Sequence, residues 1–318
     1  MKAILPLLFL LPSLTAGAQG GYHPRDTSYS IHSSYLKIRK DHPNVVPVYP
    51  HLPAGVVADT NVVYATVDSA RDLHLDIWRP GNPVRLRPAV IMIHGGGWTT
   101  GSKENLIPMA QQLAARGYVT ITPEYRLSAE APYPAGVCDL KLAVRWARAN
   151  AAVYGIDTSR IAAFGASAGA HLASLLGTTN DLDLYDSGHP LEQHSAAVQA
   201  VLNIDGIASF VHPEAEPEWT GRSATAWLGT YGEGNDRWRA ASPLEYAGAA
   251  TPPFLFVNSS YPRFHAGRDD LLAILDRYGI YHEEHTFAGS PHAFWLLEPW
   301  FTPTLAYTVK FLEEVFPK

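Results

Sequence analysis

The segment that most restricts the fold of this chain is Gly165-Ala166-Ser167-Ala168-Gly169. A short predicted strand, 160–164, leads into it, and an Ala- and Leu-rich stretch, 167–176, follows. A strand that passes through Gly-x-Ser-x-Gly into a helix must turn so sharply that the two backbones nearly touch. Glycines at both ends allow that approach. The serine is left projecting at the edge of a sheet, above a helix N-terminus, where it can act as a nucleophile. Gly, Ser and Ala are common residues, so the five letters alone could mark an ordinary turn. The strand before them and the helix after them give the motif its meaning.

The flanking sequence repeats this strand-then-helix rhythm. Strands are predicted at 62–67 and 73–78, the second from the alternation of Leu73, Leu75 and Ile77 with His74, Asp76 and Trp78. The continuous apolar run 88–93 suits a central strand covered on both faces. Further strands are expected at 118–122, 160–164, 198–204, 253–257 and 281–287. Helices are expected at 106–116, 137–154, 167–176, 269–278 and 303–315. The fold class is therefore α/β, with a mostly parallel central sheet and helices on both faces. Two stretches, near 178–197 and 206–250, interrupt the rhythm and are expected to wall a pocket at the carboxyl edge of the sheet. Residues 19–55, rich in Pro, His and Tyr, predict an extended N-terminal arm ahead of a domain covering 56–318. No internal repeat is visible.

Lys2, the apolar run 3–14 and Ala16-Gly17-Ala18 read as a signal peptide ending near Ala18, which predicts a secreted or periplasmic protein. The run is too short for a stable membrane anchor. A net charge of −6 argues against a nucleic-acid partner. Cys138 is the only cysteine, so no intrachain disulfide can form, and its apolar neighbours predict a core thiol.

Two further motifs bear on the serine. His94-Gly95-Gly96-Gly97-Trp98 follows the strand 88–93. Its glycines can bring backbone N–H groups to a developing oxyanion, with Gly96 and Gly97 as donors beside the N–H of Ala168. His94 itself reads as structural. The chain has 14 histidines, but His292 alone stands just after the last predicted strand, where the general base of a nucleophile–acid–base order belongs.

Together these residues resemble a family. The segment 94–98, Glu124-Tyr125-Arg126-Leu127, Tyr133-Pro134-Ala135, Asp139, Tyr154-Gly155-Ile156-Asp157, Arg160 and 165–171 are similar to the hormone-sensitive-lipase and feruloyl/acetyl-esterase-like (BD-FAE-like) branch of the α/β-hydrolases. The resemblance covers roughly residue 62 to the C-terminus. It implies an α/β-hydrolase fold, a serine carboxylic-ester hydrolase with no metal or organic cofactor, and Arg126 and Asp139 as an internal ion pair. It also implies substrates such as acylated carbohydrate or a small ester, with acetylated pectin, xylan or feruloyl esters as examples. A serine peptidase of the same fold and an inactive carbohydrate-binding scaffold are the alternatives.

The sequence departs from the family at the acid. The family pattern expects a carboxylate at position 260, which here is Ser260. The candidates are Asp205, at the end of strand 198–204, and Asp269, at a helix start. Asp205 is preferred because capping already accounts for Asp269. Trp98, Arg263, His265 and Arg268 are candidate substrate contacts, the last three as binders of a uronate carboxylate or, equally, as parts of a salt-bridged loop. Trp219, Trp227, Trp238, Trp295 and Trp300 could stack on sugars or pack in the core.

Overall fold

The computed structural model describes residues 25–317, apart from 69, 83, 84, 181, 216 and 233–235. The expected signal peptide, 1–18, lies outside the described residues, as does the side chain of Trp219.

Eight strands form one sheet: β1 (Val56–Val67), β2 (Arg71–Pro80), β3 (Arg87–Ile93), β4 (Val119–Pro123), β5 (Ile156–Ala166), β6 (Ala200–Ile204), β7 (Phe254–Asn258) and β8 (His282–Thr286). Their spatial order is β1-β2-β4-β3-β5-β6-β7-β8. β1 and β2 pair antiparallel, as do β2 and β4, and every later pairing is parallel. The sheet is thus mixed, with its parallel part at the centre.

The apolar run in β3 shows why. Residues 89–93 are completely buried. Side chains alternate across a strand, so Ile91 and Ile93 enter one core while Val90 and Met92 enter the other. The helices are α1 (Ile31–Ile38), α2 (Ile107–Ala115), α3 (Ala135–Ala149), α4 (Ala168–Thr178), α5 (Pro217–Leu228), α6 (Arg268–Arg277) and α7 (Phe301–Val315). α3 and α4 cover the first face through Leu140, Leu172 and Leu176. α1, α2 and α7 cover the second through Ile38, Leu113 and Phe311.

The described part of the arm is not simply extended. Ser30 caps α1, exchanging hydrogen bonds with Ser33, and the helix buries Ile31 and Ile38. Val46–Pro47 then pairs antiparallel with Leu297–Glu298. The long helix expected at 137–154 is two, because α3 stops at Ala149 and a separate turn, Ala151–Tyr154, ends at left-handed Gly155. The stretch 206–250 contains α5 and a one-turn helix, Asp236–Ala240. It sends Phe210, Trp227 and Trp238 into the first core. Among the described residues, no helix is long and apolar enough to cross a membrane.

Candidate active site

Ser167 stands between β5 and α4 at φ 56°, ψ −122°. A non-glycine residue held there stores about 1–3 kcal/mol of strain. The surroundings enforce the turn. A Cβ on Gly165 would lie 2.0 Å from the Gly169 carbonyl oxygen, and one on Gly169 would lie 2.0 Å from that of Ile93. The Ser167 N–H donates to the Ile204 carbonyl at 2.9 Å, tying the turn to the end of β6.

That strand end carries the carboxylate of Asp205. Asp205 is fully buried, also at positive φ (57°), and its N–H donates to the Val257 carbonyl. His292, in the loop after β8, joins it to the serine. Nε2 lies 2.8 Å from Ser167 Oγ and Nδ1 lies 2.6 Å from Asp205 Oδ2. An ionised carboxylate only accepts hydrogen bonds. Nδ1 must therefore carry the proton, which leaves Nε2 to accept from the serine hydroxyl. The second carboxylate oxygen accepts the Ser259 N–H at 2.8 Å, so each oxygen of this buried group has a donor. Phe264 stacks on the His292 ring at 3.5 Å and 10°, and Trp295 meets it edge-on.

The other acid candidate is elsewhere. Asp269 is exposed in the first turn of α6, paired with Arg268 at 2.7 Å. Ser260 is exposed and donates its hydroxyl to the Phe287 carbonyl.

The glycine loop adjoins the serine. Gly96 (φ 120°) and Gly97 (φ 59°) are both left-handed. The Gly96 carbonyl accepts the N–H groups of Thr99 and Thr100, and a Cβ at 96 would strike the Thr100 oxygen at 2.0 Å. Gly97 and Ala168 line the same cavity as Ser167, and Gly96 sits one residue behind. His94 is buried beside the loop, stacked on Tyr125 at 4.5 Å. Burial holds its pKa well below the usual histidine value, aided by the nearby Arg25 charge.

The cavity measures about 180 Å³. Trp98 and His171 form its inner wall. The Trp98 indole donates to His171 Nδ1 at 3.2 Å, and His171 Nε2 donates to the Ala241 carbonyl at 2.6 Å. Burial lowers the His171 pKa to about 4, so this ring is neutral and its tautomer fixed. Trp98 also stacks on Trp227 at 5.3 Å. The sequence reading missed His171 and Phe264. His171 was within reach of it, because four residues along a helix return to the face that carries Ser167.

Of the three basic loop residues, only Arg263 lines the cavity; it is exposed, with its guanidinium 4.6 Å from the Phe264 ring centre. His265 and Arg268 are not among the lining residues. Arg268 bridges Asp269 and Glu284, each at 2.7 Å, so the salt-bridged alternative holds for it. Trp227, Trp238 and Trp295 are buried packing residues, and Trp300 is partly buried at the start of α7. Arg126 and Asp139 form the expected internal pair at 2.8 Å. Cys138 is half-buried, its thiol pushed up to about 11 by burial.

Known proteins share this frame. A thermophilic esterase from Thermogutta terrifontis, Est2, is 28% identical, with a TM-score of 0.68 over 85% of this chain and 96% of its own. A bifunctional GH43-CE protein of Bacteroides eggerthii is 25% identical, with a TM-score of 0.69 over 81% of this chain and 38% of its own. Esterase LipQ of Mycobacterium tuberculosis is 29% identical over 218 residues, which is 66% of this chain and 51% of LipQ. The chain spans about half the length of the curated relatives it matches. The BD-FAE family model matches residues 75–263, from within β2 to the loop that follows β7, and the chain belongs to that family of α/β-hydrolases.

Proposed function

We propose that this protein is a secreted serine carboxylic-ester hydrolase that deacylates carbohydrate esters. The observation that carries this reading is the unbroken relay from Ser167 Oγ through His292 to the buried carboxylate of Asp205, opening on a cavity edged by Gly97 and Ala168. His292 takes the serine proton as Oγ attacks the ester carbonyl, and Asp205 stabilises the imidazolium that forms. The backbone N–H groups of Gly96, Gly97 and Ala168 stabilise the tetrahedral oxyanion. His292 then protonates the departing alcohol, leaving an acyl-enzyme that water hydrolyses by the same route. No step calls for a metal or an organic cofactor.

The leaving alcohol must lie beside His292, and therefore beside Phe264 and Arg263. Arg263 is suited to a carboxylate on that half of the substrate, as in a uronic acid acylated on one of its hydroxyls. Support for carbohydrate comes from the Bacteroides eggerthii GH43-CE neighbour. The complete relay argues against an inactive scaffold.

The test is turnover of 4-nitrophenyl acetate, followed by profiling of acetate, methanol and ferulate released from acetylated pectin and xylan. The wild type should hydrolyse the small ester and release one acid from polysaccharide, and Ser167→Ala should do neither. Activity surviving in Ser167→Ala refutes the mechanism. Small-ester turnover without release from any polysaccharide refutes the substrate class alone.

A further inference from the structure

The glycine loop is fastened by a residue far from it in sequence. The Arg25 guanidinium makes three directed contacts: Nε donates to the Gly101 carbonyl at 2.9 Å, Nη1 to the Tyr125 carbonyl at 3.1 Å, and Nη2 to His94 Nε2 at 2.5 Å. The next residues continue the clasp. The Asp26 carbonyl accepts the Gly101 N–H at 2.8 Å and the Thr100 hydroxyl at 2.9 Å, and the Tyr29 N–H donates to that hydroxyl at 3.2 Å. Segment 25–29 therefore grips the loop at both ends, His94 and Gly101.

The grip reaches the oxyanion donors through backbone packing. His94 Nδ1 donates to the Gly95 carbonyl at 2.7 Å, so its buried Nε2 needs a donor, which Arg25 supplies. A Cβ on Gly101 would lie 2.5 Å from the Gly95 oxygen, and a Cβ on Gly95 would lie 2.7 Å from the Ala166 oxygen. Gly101, Gly95 and the serine turn thus touch backbone to backbone, Gly96 packs against Thr100 and Gly101, and Gly97 follows it in the loop. Arg25 is not among the residues lining the cavity. We infer that Arg25 is a positioning residue for the oxyanion donors, acting through His94 and Gly101 and touching no substrate. The inference rests on the esterase reading of the site.

The test uses the full chain with Arg25→Ala, Arg25→Gln and Arg25→Lys. For each, kcat and KM for 4-nitrophenyl acetate are measured, along with the inhibition constant of a trifluoromethyl ketone, whose serine adduct places an oxyanion among the donors. A fluorophosphonate titrant, read at its endpoint, counts competent molecules. Losing one oxyanion donor costs about 10²–10³ in kcat. Because the loop would loosen rather than vanish, a fall of about 10- to 100-fold is expected in Arg25→Ala and Arg25→Gln per titrated site. KM should stay within about threefold, the ketone should weaken in step with kcat, and Arg25→Lys should recover part of the loss. The inference is overturned if Arg25→Ala and Arg25→Gln both keep kcat within about threefold. It is also overturned if their loss merely equals the fraction of chains the titrant fails to label. Inactivity of Ser167→Ala beside unimpaired Arg25 variants would sink this inference alone, whereas an active Ser167→Ala would sink the esterase reading itself.

Discussion

Replacing Asp205 by Asn tests the proposed relay at its least expected member. The change removes a charge and keeps the shape, so its effect can be worked out atom by atom. One carboxylate oxygen accepts the Ser259 N–H at 2.8 Å and the other accepts His292 Nδ1–H at 2.6 Å. An amide has one oxygen and one NH₂ group. The Ser259 N–H is a fixed donor, so the amide oxygen turns to it and the NH₂ faces His292. Two donors cannot meet at 2.6 Å. The imidazole therefore moves its proton to Nε2, which then faces Ser167 Oγ with a hydrogen and can no longer act as a base. The same substitution in a Ser–His–Asp triad costs about 10⁴ in kcat by this tautomer change, or about 5.5 kcal/mol of transition-state stabilisation. The assay is kcat for 4-nitrophenyl acetate, normalised by active-site titration, with Asp269→Asn as control. Asp269 is exposed and pairs with Arg268, away from His292, so the control should turn over as the wild type does. If Asp205→Asn keeps kcat within about tenfold, or the loss falls on Asp269→Asn instead, the assignment is refuted.

Two further predictions concern stability. Asp139 is fully buried and takes the Arg126 backbone N–H as well as its guanidinium. Asp139→Ala leaves that cation without its buried partner and should cost about 3–5 kcal/mol in urea unfolding; a loss under 1 kcal/mol would contradict the pairing argument. His171 is fully buried with its pKa lowered to about 4, against 6.5 unperturbed. Above about pH 6.5 neither folded nor unfolded chains bind its proton, so it carries no penalty there. As pH falls from 6.5 to about 4 the unfolded chain protonates first, and folding loses up to about 3 kcal/mol from this residue. Urea midpoints measured between pH 7 and pH 4.5 should drop less in His171→Gln than in the wild type; equal drops would refute the assignment.

The parts of the site visible in the sequence were those set by local chemistry or by position relative to a strand. Ser167 was legible because its two glycines and flanking elements are contiguous. Asp205 was legible because it directly follows a strand that a run of apolar residues announces, and His292 because it stands in the loop after the last strand, where the chain order of the fold puts the base. The partners of Arg25 lie 69 to 100 residues away, and nothing local marks an arginine in an irregular arm as the donor to a buried histidine. α1 escaped notice for a related reason. It has eight residues, three of them β-branched or aromatic, and its stability comes from burying Ile31 and Ile38 on a distant core. The basic loop residues looked equivalent in sequence. Only side-chain direction and the Glu284 carboxylate, on a different strand, separate Arg268 from Arg263.

Placing the acid of the proposed relay at the end of β6 also changes what the loop after β7 is free to do. With Asp205 holding His292, residues 259–267 contribute a backbone N–H at Ser259 and a ring at Phe264 to the relay, and no charge. A backbone donor survives almost any side-chain replacement. Most of that loop can then be exchanged between relatives, or diversified in a library, with Phe264 retained, so that selectivity for the alcohol half of the ester could be rewritten while the bond-breaking groups stay as they are.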